Sequence, residues 1–178
     1  MNAARLEFLF DNVFATTCNT VLRGGAKEPL YEPACADAPA QINYRDDFVS
    51  SALHEVAHWC IAGAARRRQV DYGYWYSPDG RSRQEQWDFE RVEARPQALE
   101  WVFSQCCGVP FALSLDNLSG DVDPADRLRF AGEVVRQAET FLAVGLPPRA
   151  DRFCAAVRKD IGQTEPRESM AFSLQRIL

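Results

Sequence analysis

Between residues 46 and 64 the apolar side chains Val49, Ala52, Leu53, Val56, Ala57, Cys60, Ile61 and Ala64 recur at three- and four-residue spacing. That periodicity specifies an α-helix with one buried face, and Asp46 or Asp47 is placed to cap its start. The chain's only two histidines, His54 and His58, sit inside this helix in the string HEVAH. At about 100° per residue they fall on the flank of the apolar stripe. They therefore face a cleft edge rather than open water.

Imidazoles four residues apart stand roughly 6 Å apart on one helix face, where their ring nitrogens can converge on one divalent ion. Glu55 points about 100° away from His54, within reach of a metal-bound water but out of a coordinating position. Two histidines meeting by chance at a core edge is the competing reading, and it is weakened because the chain has no others. A third protein ligand is needed, commonly a downstream carboxylate. Glu85, Asp88, Glu90, Glu93 and Glu100 are the candidates. Glu93 is favoured because RVEARP alternates so that Val92 packs inward, while a helix starting at Pro96 mounts Glu93 rigidly just ahead of it; Glu90 is the runner-up. With zinc in such a site, Glu55 would act as general base of a small metallopeptidase. With ferrous iron, two histidines and a carboxylate leave positions for dioxygen. The HExxH string alone favours the peptidase.

The rest of the chain suggests scaffold. Leu6, Leu9, Phe10 and Val13 mark a first helix, and residues 23–45, punctuated by Gly24, Gly25, Pro29, Pro33 and Pro39, suggest a loop with at most short strands. VDYGYWY at 70–76 predicts a strand entering a hairpin at SPDGRS. Leu99, Val102, Phe103 and Cys106 give the helix from Pro96 its apolar stripe up to Gly108. Further helices are expected from Pro124 to about Gly145 and around Phe153, Ala156 and Val157, with a loosely attached C-terminal end. The sum is one helix-rich α+β domain over residues 1–178, with a small sheet or hairpin and the HExxH metal-binding helix. A chain of 178 residues that is 47% hydrophobic can build such a core.

The net charge of −5 and a pI near 5.1 argue against general affinity for nucleic acid. No stretch reaches the roughly 18 apolar residues that span a bilayer, and Glu7 and Asp11 interrupt the N-terminal apolar run, so neither a membrane segment nor a signal peptide is expected. A cytoplasmic protein with reduced cysteines follows. In the absence of a dimerisation heptad it should be a monomer. The cluster Arg66, Arg67 and Arg68 fits either a helix end favoured by the dipole or a docking patch for an acidic partner.

The strings ALHEVAHWCIAGAARRRQVDYGYWYSPDGR, VEARPQALEW and DNLSGD, with the earlier EPLYEPA, resemble the elongation factor P hydroxylase family of bacteria over nearly the whole chain. The resemblance implies oxygen-dependent hydroxylation of the modified lysine of elongation factor P, after a β-lysyl group has been attached. It also implies a two-histidine, one-carboxylate centre carried by His54, His58 and Glu93, with Fe(II) as the expected metal, O2 as co-substrate, and Zn as an ion that purified protein can carry. Glu55 then takes a proton-handling role instead of a peptidase one. For a long cationic side chain, Tyr76 and Asp71 are the candidate substrate contacts, through cation–π attraction and opposite charge.

Overall fold

The structure, a computed structural model, describes residues 1–70, 81–115, 123–166 and 169–178. The segment holding Asp71 and Tyr76, the expected hairpin and the DNLSGD string lie outside the described residues.

Helix α1 (Ala3–Cys18) is capped by the Asn2 side chain, which accepts from the Arg5 amide, and it buries Leu6, Leu9, Phe10 and Phe14. Three strands follow, largely in the region expected to be loop with at most short strands: β1 (Thr20–Ala26), β2 (Leu30–Glu32) and β3 (Ala40–Arg45). Their order is β1-β3-β2, with β1 parallel and β2 antiparallel to the central strand; Leu22 and Tyr31 both stand opposite Ile42. Ala40, Ile42 and Tyr44 point into the core by the period of two that a half-buried strand requires. Gly24 and Gly25 act as a β-bulge within β1 and do not end it. A Cβ on Gly24 would stand 2.7 Å from the Tyr44 hydroxyl oxygen. The room is used by Glu7, whose carboxylate accepts from both the Gly24 amide and the Tyr44 hydroxyl and ties α1 to the sheet.

Helix α2 (Val49–Ile61) carries HEVAH and buries Ala52, Leu53, Val56, Ala57, Trp59 and Cys60, as its periodicity predicts. Neither Asp46 nor Asp47 caps it; the N-cap is Phe48, with no side-chain hydrogen bond. Asp46 is held in the left-handed conformation (φ 46°) by backbone bonds to Gly25 and Ala26, so it closes the β1–β3 ladder instead. The other end is secured from a distance. Arg149 Nη2 donates to the carbonyls of Trp59, Cys60 and Ala62 at 2.7, 3.1 and 2.8 Å, and Arg67 also donates to the Ala62 carbonyl. Arg67 lies within a single turn of 3₁₀ helix, Arg66–Arg68.

The largest departure from the sequence reading is α3 (Arg83–Cys107), 25 residues long. It starts at Ser82 in a capping box with Glu85, not at Pro96. Pro96 lies in the helix interior, where it lacks the amide that would have bonded the carbonyl of residue 92. Val92 is half exposed and does not pack inward. Along one face of α3 run Gln86, Glu90, Glu93, Gln97, Glu100 and Ser104, all buried. Their alternating intervals of four and three keep them in line.

Helices α4 (Pro124–Val144) and α5 (Pro148–Asp160) complete the core, and α4 is capped by Asp123. The C-terminal end is anchored rather than loose, since Phe172 and Ile177 are buried and Phe172 packs edge-on against Trp101. Five helices over a small three-stranded sheet make this an α+β domain. Among the described residues no helix is long and apolar enough to cross a membrane, and the six cysteines are thiols.

Arg149→Ala leaves the Trp59 and Cys60 carbonyls at the end of α2 without their side-chain donor and the Ala62 carbonyl with Arg67 alone. A loss of about 1–3 kcal/mol is expected, read as a lower urea midpoint at unchanged slope.

Candidate metal centre

The site forms where α2 lies across α3. His54 and His58 project from consecutive turns of α2, and their Nε2 atoms approach to 2.9 Å. Glu93, seven residues before Glu100 on α3, reaches both: Oε2 lies 3.4 Å from His54 Nε2 and Oε1 3.3 Å from His58 Nε2. One ligand atom from each of the three lies within 4.8 Å of the others. The carboxylate is 2% exposed, the histidines 15% and 23%, so the trio opens toward the histidine side.

The donor set fits a divalent cation. Glu93 Oε2 is buried with no hydrogen-bond partner, an arrangement that costs about 1–3 kcal/mol when nothing compensates it. His54 Nδ1 lies 2.8 Å from Glu100 Oε2. A carboxylate only accepts, so Nδ1 carries the proton and the Nε2 lone pair is left facing His58 and Glu93. Electrostatics separates the carboxyl groups. Burial pushes Glu55 and Glu100 up, against the pull of the neighbouring histidines. Burial also opposes ionisation of Glu93, but the charges of His58 and His54 outweigh it and hold Glu93 well below the usual carboxylate range. At His54 burial favours the neutral ring, yet the hydrogen bond to Glu100 and the charges of Glu100 and Glu93 win and raise it well above 6.5.

A cavity of about 470 Å³ opens beside the trio, lined by Glu55, His58, Glu93, Tyr31, Trp59 and Pro96 among others. Of the remaining carboxylates weighed from the sequence, Glu90 is buried against Arg129 and Gln86, Glu85 belongs to the capping box, and Asp88 faces Gln84 and Arg91. None of these three joins the histidines. Glu100 does, as the hydrogen-bond partner of His54 and not as one of the trio, a role the sequence reading did not assign. The signal was present in the seven-residue interval between Glu93 and Glu100, two turns on one helix face. It was hidden by the expectation of a helix that starts at Pro96, after Glu93.

Residues 9–171 match the family described as elongation factor P hydroxylase. The chain belongs to that family. A relative from Haemophilus influenzae named elongation factor P lysine hydroxylase is 45% identical over 144 residues, 80% of each chain. Family membership makes the protein a hydroxylase, an oxidoreductase that modifies elongation factor P, and decides against the peptidase that HExxH alone suggested.

Because a proton on His54 competes with a cation, metal affinity of this hydroxylase should rise with pH through and above 6.5, measured by competition with a chelating dye. Glu100→Gln is expected to weaken metal binding roughly 10–100-fold while the fold persists, checked by the same titration and by circular dichroism.

Proposed function

We propose that this hydroxylase uses dioxygen, two electrons from an external reductant and a ferrous ion held by His54, His58 and Glu93 to place one oxygen atom on the β-lysylated lysine of elongation factor P, the other oxygen leaving as water. The observation that carries the reading is the convergence of the two Nε2 atoms on the buried Glu93 carboxylate, whose Oε2 has no hydrogen-bond partner. Two histidines and one carboxylate are the donor set that suits ferrous iron with open positions, and that metal supplies the strong oxidant which attack on an unactivated carbon demands and side chains lack.

The protein's own residues do the rest. Glu100 fixes the tautomer and orientation of His54. Glu55, buried on the cavity wall, has its carboxyl pushed up by that burial, which suits it to exchange a proton beside the reacting side chain. Trp59, Ile61 and Pro96 supply apolar wall that limits water, and the cavity volume suits a long unbranched side chain presented on a protein loop. Asp71 and Tyr76 are assigned to the ammonium end of that side chain. Residues 1–178 act as one hydroxylase domain and as a monomer, in the cytoplasm where translation factors are found. Zinc is expected to occupy the ligands without supporting the reaction, because it has no redox chemistry.

His54→Ala, His58→Ala and Glu93→Ala should each abolish both iron binding and the gain of one oxygen on β-lysylated elongation factor P, scored by intact mass. Glu90→Gln should retain iron, since that carboxylate serves Arg129. Oxygen gain by the zinc-loaded protein, or full activity of any of the three alanine variants, would refute the assignment. Glu55→Gln should keep iron and lose turnover roughly 100-fold or more, measured as kcat at saturating substrate.

A further inference from the structure

The chain carries a net charge of −5, yet Arg66, Arg67, Arg91 and Arg95 all line the cavity beside the candidate metal centre. The carboxylates lining it, Glu55 and Glu93, are both buried. The positive charges thus gather at the mouth and the acidic groups inside. Two separate elements bring the arginines together. The 3₁₀ turn after α2 contributes Arg66, and an exposed stretch of α3 contributes Arg91 and Arg95, one helical turn apart on the same face. Half-exposed Val92 lies beside them. Arg67 is engaged with the Ala62 carbonyl, whereas Arg91 is mostly exposed, 3.7 Å from an Asp88 that is itself solvated, and Arg95 lies over the Phe141 ring.

Like charges gathered at one mouth repel one another, so their assembly there carries an electrostatic cost. Their effect is on what approaches. A free cationic amine meets a repulsive field, while a surface bearing carboxylates is steered onto the rim.

We propose that Arg66, Arg91 and Arg95 form a docking rim for an acidic face of elongation factor P beside its modified lysine, with Val92 as the apolar centre of the contact. The proposal rests on the reading of this cavity as the place where that lysine is hydroxylated. The rim holds the body of the substrate protein while the lysine side chain enters. It also selects a lysine carried on a protein over the same amine free in solution.

The test follows association of the iron-loaded protein with β-lysylated and with unmodified elongation factor P across a range of salt concentrations. Arg91→Glu/Arg95→Glu should slow association at low salt about tenfold or more and flatten its salt dependence. Arg91→Gln/Arg95→Gln should fall between that variant and the wild type. Arg127→Glu/Lys159→Glu, which makes the same change in net charge on α4 and α5, should behave as wild type. Bound iron and melting temperature, read on the same samples, should be unchanged throughout, which separates docking from folding and metal loading. Association by the Arg91/Arg95 glutamate variant equal to that of the wild type, or to that of the α4/α5 control if the control is itself slowed, overturns the rim. No association of the wild type with either form of elongation factor P would instead overturn the substrate reading beneath it.

Discussion

Six polar side chains on one face of α3 lose their water when the protein folds, and each one left without a partner costs about 1–3 kcal/mol. Five of the six find partners, which sets how the rest of the molecule packs, while the Ser104 hydroxyl has none among the described residues. Gln86 takes Arg81 and the Leu115 carbonyl, and Glu90 takes Arg129 from α4. Gln97 clamps both backbone groups of Ser114. Glu100 and Glu93 take the two histidines of α2. A slip of one residue in α3 would move every one of these groups about 100° out of line. The register that serves the core therefore also brings the Glu93 carboxylate to the two histidines, as a candidate metal centre requires.

The same burial sorts the carboxyl groups by function. Glu93 faces two imidazoles, which hold it well below the usual carboxylate range. Glu55 lies on the cavity wall with burial as its dominant influence, which pushes it up. Groups of one chemical type are pushed apart by their surroundings, which is how one small site can both hold a cation and manage protons.

Where packing follows local periodicity, the sequence was readable. The apolar sets of α2, α4 and α5 appear as expected, and HEVAH alone indicated that His54 and His58 share a helix face. Three features were not readable. Gly24 and Gly25 looked like loop punctuation, but they serve a bulge within a strand whose purpose depends on Tyr44 and Glu7, distant in sequence. Pro96 looked like a helix start because proline favours that position, and only tertiary packing of the buried stripe holds α3 together across it. Phe172 and Ile177 show no periodicity and are held by contact with Trp101 and its neighbours. The choice between Glu93 and Glu90 likewise depended on Arg129, 39 residues beyond Glu90, which draws that carboxylate away from the histidines.

The reach of Arg149 back to the end of α2 has a consequence for synthesis. Ribosomes deliver residues in order, so His54, His58 and Glu93 emerge long before the guanidinium that secures the carbonyls of Trp59, Cys60 and Ala62. During that interval the growing chain already holds His54 and His58 on α2 and Glu93 on α3, while at the end of α2 only the Ala62 carbonyl has a side-chain donor, Arg67. Ordering of that turn is thus deferred until the final third of the polypeptide has been made, and the N-terminal two-thirds alone cannot reach the finished geometry.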